Sequence, residues 1–141
     1  MFEQLLKQKA ALTWQLDAAE TLQMWGENKK NADAYAKAMM GSGKYKDPKT
    51  NRAKNAIWGW RKLVQLTRGK EKLNDAFRTS IYNSVKSRFD YGLLKQNKKA
   101  IDSSYSELSK ALQRFAFLNV GPMNKKFQAL IAEMKKHTTK K

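Results

Sequence analysis

The chain has no cysteine, one histidine, two prolines and seven glycines in 141 residues. Without cysteine there is no disulfide, no thiol nucleophile and no thiolate-held metal, which fits a reducing compartment. The lone histidine, His137, stands in a lysine-rich stretch that offers it neither an orienting carboxylate nor a dry pocket. Acidic residues are scattered. Asp17 and Glu20 share a helix face but read as a solvated pair, not an acid–base dyad. Gly41-Ser42-Gly43-Lys44 echoes a phosphate-cradling loop, yet no strand precedes it and its spacing is wrong, so it reads as a helix stop. No apolar run approaches the roughly 20 residues that a membrane span needs. Met1-Phe2-Glu3-Gln4 lacks the basic start of a signal peptide, consistent with a cytoplasmic protein. These absences predict a protein that is not an enzyme and that holds no metal or cofactor.

Strand-like runs of Val, Ile and Thr are also missing, and Pro and Gly are sparse, so the fold class expected is all-α. A hydrophobic fraction of 41% with 11% aromatics is too high for a disordered chain. The length suits one domain with a real core.

Positive charge is what the sequence has in excess. Lys+Arg number 29 against 12 Asp+Glu, a formal net charge of +17. It is unevenly spread. Residues 1–25 carry Lys7 and Lys9 against Glu3, Asp17 and Glu20, a net of −1, which leaves +18 for the rest. A surface that basic attracts phosphates, anionic membranes or acidic proteins.

Apolar spacing predicts five to six amphipathic helices stacked as antiparallel hairpins in a single domain over residues 1–136, with a basic tail over 137–141. Phe2, Leu5, Leu12, Leu16, Ala19 and Leu22 form the first stripe, which Gly26 ends. Asn31 is a good N-cap for a second, shorter helix stopped by Gly41-Ser42-Gly43. Residues 44–51, with Asp47-Pro48, read as a basic exposed loop. A third helix is expected over 52–67 and a fourth over 71–94, striped by Leu73, Phe77, Ile81, Val85 and Phe89. Asn97 caps a fifth that runs through Phe115, and Pro122 opens a C-terminal packing helix over 122–136.

Two segments look alike. Lys54-Asn55-Ala56-Ile57 is followed by Trp60, and Lys98-Lys99-Ala100-Ile101 by Tyr105. Each resembles the second helix of a tetratricopeptide repeat, where a small Ala precedes an aromatic. Tyr91, nine residues before Ala100, stands where that family commonly has an aromatic late in its first helix, and Gly43-Lys44-Tyr45 looks like the turn between paired helices. The resemblance covers roughly residues 31–115 as degenerate repeats over 31–68 and 71–115. The chain departs from the pattern at Arg88, in place of the usual Gly, at Ser84, in place of the early aromatic, and in the missing closing Pro. The resemblance implies a right-handed superhelix of hairpins whose concave face binds protein segments.

Four side chains are the expected partner contacts: Trp58, Arg61, Lys62 and Arg88. On a continuous helix over 52–67, Trp60 would join the core stripe while Trp58 pointed away from it, either onto a neighbouring hairpin or into a binding surface. Lys44, Lys46, Lys49, Arg52, Lys54, Lys95, Lys98 and Lys99 are the expected basic patch, placed at connections that could gather along one rim. The reading that follows is a helical-repeat scaffold for a protein or peptide partner of acidic character. An alternative is nonspecific DNA or RNA binding through the lysines. A third is self-association, as one stretch of a longer array.

Overall fold

A computed structural model describes residues 2–46, 48–121 and 123–138, with residues 2–10 given by their backbone alone. Within it are six helices and one hairpin: α1 (Phe2–Lys29), α2 (Ala32–Met40), β1 (Ser42–Lys46), β2 (Ala53–Ile57), α3 (Trp60–Thr67), α4 (Asn74–Lys95), α5 (Lys98–Arg114) and α6 (Asn124–His137). Single 3-10 turns at Glu71–Leu73 and Ala116–Asn119 lead into α4 and follow α5. No helix of the described residues is long and apolar enough to cross a membrane. Phe2 and Leu5 of the first stripe lie outside the described side chains. Asp47, Pro122 and residues 139–141 of the expected tail lie outside the described residues.

The two asparagine caps act as expected. Asn31 Oδ1 accepts from the Asp33 and Ala34 amides, and Asn97 Oδ1 accepts from the Ala100 amide, satisfying amides that no helical carbonyl reaches. Gly26 does not act as a stop. The first helix runs through it to Lys29, and the Tyr35 ring of α2 lies so close that a Cβ on Gly26 would meet it at 2.9 Å. This glycine is where two helices touch.

The expected loop over 44–51 and the expected helix from Arg52 are replaced by an antiparallel hairpin, so the fold is mostly helical with a small sheet. Its register pairs Ser42 with Ile57, Lys44 with Asn55 and Lys46 with Ala53. The cause lies in glycine backbone. Gly59 adopts φ 88°, which a helix cannot use, and its Cα faces the Gly41 amide so closely that a Cβ would stand 2.5 Å from that nitrogen. The chain therefore turns back at Gly59, and α3 begins only at Trp60. Gln15 of α1 holds the returning strand: its Nε2 donates to the Ala56 carbonyl at 2.9 Å, and its Oε1 accepts the Trp58 amide at 2.8 Å. As a result the two look-alike segments differ in conformation. Lys54–Ile57 is strand, whereas Lys98–Tyr105 lies on α5.

Two apolar clusters make the core. One joins α4, α5 and α6 through Phe77, Ile81, Val85, Phe89, Ile101, Leu108, Phe127 and Met134, with Leu118 from the 3-10 turn. The other joins Ala19 and Leu22 of α1, Ala38 of α2 and Trp60 and Leu63 of α3. The four-residue spacing of Phe77, Ile81, Val85 and Phe89 keeps one face of α4 buried along its length. The other faces of α4 pack on α2 and α3, so this helix is shared by both clusters.

Candidate binding surfaces

Three clefts collect most of the residues expected to bind. The largest, about 1020 Å³, runs over the polar face of α5. Ser103, Ser106 and Ser109 recur every third residue there, flanked by Lys99, Tyr105 and Lys110. Arg61 reaches it from the first turn of α3 and Arg88 from α4, so two expected contacts from separate elements converge. The Arg88 Nη1 donates to Glu107 Oε2 at 3.2 Å, which fixes its side chain and offsets part of its charge. The lining supplies hydroxyl donors and acceptors and four cations, Arg61, Arg88, Lys99 and Lys110, against two carboxylates, Asp102 and Glu107, a balance that suits an extended anionic chain better than a compact apolar ligand.

The second cleft, about 350 Å³, lies between the hairpin and α3 and is lined by Lys44, Ala53, Lys54, Asn55, Trp58 and Lys62. Trp58 is partly buried and packs on the α1–α3 cluster. Because residue 58 lies before Gly59 and outside α3, the helical-wheel argument for its direction does not apply. The Lys62 ammonium sits 5.2 Å from the centre of the Trp58 ring, within range of a cation–π attraction. Trp60 is fully buried, as its stripe predicted.

A third cleft, about 430 Å³, brings Lys95 to Lys29, Lys30 and Asp33 where α1 passes into α2. The eight expected patch residues therefore fall on separate elements and do not line one cleft. Lys44 and Lys54 face the hairpin cleft, Lys99 faces the α5 cleft and Lys95 the third. Lys46, Lys49 and Arg52 are exposed at the hairpin's far end, and Lys98 is exposed at the start of α5.

The tail reading of His137 needs correcting. The residue closes α6, its ring packs 5.7 Å from that of Phe89, and Glu133, one turn earlier, faces its Nε2 at 3.3 Å. Among the described residues no group of three or more His, Cys, Asp or Glu side chains is placed to hold a metal ion.

Ionisable groups perturbed by burial lie elsewhere. Lys86 on α4 donates to Asp90 at 2.7 Å and lies 3.4 Å from Glu27 of α1, beside Tyr35 of α2. Burial raises the Tyr35 pKa to about 12, helped by the charge of Asp90. Burial also raises Asp90 against the opposing pull of Lys86. Burial works to lower Lys86, but its hydrogen bond and charge contact with Asp90 carry it upward. None of these four side chains lines any of the three clefts, and together they form a joint between α1, α2 and α4.

Sequence reasoning missed the serine face of α5, although its every-third-residue spacing is visible. It also missed two exposed tryptophans on α1, Trp14 and Trp25. No protein-family model, curated protein or solved structure matches this chain.

Proposed function

We propose that the chain is a non-enzymatic helical scaffold that holds an acidic protein or peptide segment along the polar face of α5. The observation that carries this reading is the convergence of Arg61 and Arg88, from different helices, on one long hydroxyl-lined cleft. Arginine is suited to carboxylates because its planar fork offers paired donors. The repeat resemblance supports the reading where Ala100, Ile101 and Tyr105 lie on a helix lining that cleft. A labelled, glutamate-rich extended peptide titrated by fluorescence anisotropy tests it. Binding should survive near-physiological salt and weaken only modestly as salt rises; no binding to any acidic peptide at low salt sinks it.

A second reading, nonspecific nucleic-acid binding, is favoured by the hairpin cleft. Lys44, Lys54 and Lys62 surround Trp58 there with no carboxylate among the lining residues. An aromatic face among lysines can stack a base while the ammonium groups meet phosphates. A duplex and a single strand titrated in parallel distinguish it. Nucleic-acid binding of this kind falls steeply along a log–log salt slope.

A further inference from the structure

The outer side of α1 carries large exposed apolar side chains. Trp14, Trp25 and Met24 of α1 are 57%, 59% and 50% exposed. Tryptophans eleven residues apart fall within about 20° of each other around a helix and about 16 Å apart along it. Between them on the same face stand only Ala18 and Thr21. The stretch 10–28 also contains Asp17, Glu20 and Glu27 and no Lys or Arg, a net of −3 in a chain whose remainder is +20; Glu27 faces Lys86 of α4, which leaves Asp17 and Glu20 to meet a partner.

The outer face of α6 carries the matching pattern. Lys125 and Lys136 are also eleven residues apart, with exposed Ala129 and Ala132 at the positions that Ala18 and Thr21 take in α1. Lys126 and Lys135 add to the charge, against the single carboxylate of Glu133. Lys136 is paired to Glu133 at 3.6 Å, an exposed contact that exchanges readily. Small residues at the centre of both stripes would let two such helix axes approach and bring the end lysines over the tryptophans, the arrangement of a cation–π contact. α1 packs on α2, α3 and α4, whereas α6 packs on α5 and α4, and among the described residues no element packs on either outer face.

We infer that the tryptophan face of α1 docks on the lysine face of α6 in a second copy of this chain. Two copies of a protein charged at +17 repel, and a contact that joins the most negative stretch, residues 10–28, to a basic surface works against that repulsion. Because the two faces are different, the contact is heterologous. A docked pair leaves one face of each kind open, and association continues past the dimer. The inference does not depend on what the α5 cleft binds.

Sedimentation velocity on nuclease-treated protein across a concentration series tests it. The weight-average mass should climb past that of a dimer as concentration rises at near-physiological salt, where the repulsion between copies is screened. Two charge-reversed variants, D17K/E20K and K125E/K136E, each alter only exposed side chains, and their helical content is checked by circular dichroism. Each alone should stay monomeric where the unaltered protein associates, with apparent affinity lowered about tenfold or more. Mixed in equal amounts, they should associate again, since each supplies the face the other needs. A protein that stays monomeric at every concentration overturns the inference. So does a mass that levels off at the dimer, or a mixture that remains monomeric.

Discussion

Trp60 donates its indole N–H to Gln23 Oε1 at 2.9 Å inside the core, and Gln23 Nε2 donates on to Asn83 Oδ1 at 3.0 Å. A buried amide thus links α3, α1 and α4 by a chain of side-chain hydrogen bonds. Gln23 is itself only 5% exposed, so water cannot replace it. Gln23→Leu keeps the volume but strands the indole donor and the Asn83 carbonyl. The expected loss is about 1–3 kcal/mol of stability, read from the urea midpoint at constant m-value. A loss below about 0.5 kcal/mol would show that the linkage contributes little.

The hairpin stands on Gly59. Alanine there would need a left-handed backbone that L residues avoid, at about 1–2 kcal/mol, and would press its Cβ against backbone atoms of Met39 and Gly41 that cannot give way. Gly59→Ala is therefore expected to cost about 3 kcal/mol or more. The damage should be local first. Hydrogen exchange of residues 42–57 should accelerate while that of α4 and α5 stays slow. Uniform acceleration would mean that the hairpin unfolds only with the whole chain.

What could be read from sequence was what depends on neighbours along the chain. Asn31 and Asn97 were legible as caps because a cap acts on amides two or three residues away. The Phe77–Phe89 stripe was legible because helical period alone aligns it. Gly26 was not, since its role is set by Tyr35 of the next helix. The hairpin was missed for a similar reason. Its strands, Ser42–Lys46 and Ala53–Ile57, have little of the β-branched composition that marks strands, and they are held by Gly41 facing Gly59 and by Gln15 of α1. Of the site, the residue types were legible and their grouping was not. Arg61 and Arg88 meet because α3 packs on α4, while the lysines expected along one rim were divided by the hairpin.

Stability should fall on the alkaline side, and Tyr35 is the reason. Its pKa stands at about 12 in the fold against 10.0 for a free tyrosine. A group whose pKa is raised by folding stabilises below its unfolded value and loses that contribution as pH climbs through the folded one. The window is therefore between 10.0 and about 12, and Lys86, also raised, acts in the same direction. The Tyr35 share should reach about 1 kcal/mol near roughly pH 11. Urea midpoints taken from pH 8 upward should decline there, and Tyr35→Phe should make that decline shallower. An identical slope in Tyr35→Phe would assign the alkaline loss to Lys86 and to Tyr82, whose pKa burial also raises.

Neighbouring residues separate the two functional readings. Arg61 lines the α5 cleft and Lys62 lines the hairpin cleft, although they are adjacent in sequence. Successive positions on a helix diverge by about 100°, so the first turn of α3 sends one cation to each side. Both are exposed, and reversing either charge should leave the fold intact. If the α5 cleft holds acidic peptide, Arg61→Glu should weaken that peptide about tenfold or more, the size expected for losing one charge-assisted contact. Lys62→Glu should leave it within about twofold, a through-solvent effect only. If the hairpin cleft instead holds nucleic acid, the pattern inverts. Lys62→Glu should then lower affinity for duplex and single strand alike and reduce the magnitude of the log–log salt slope by about 1. Equal losses from both variants, with either ligand, would mean that binding follows total charge and that neither cleft is the site.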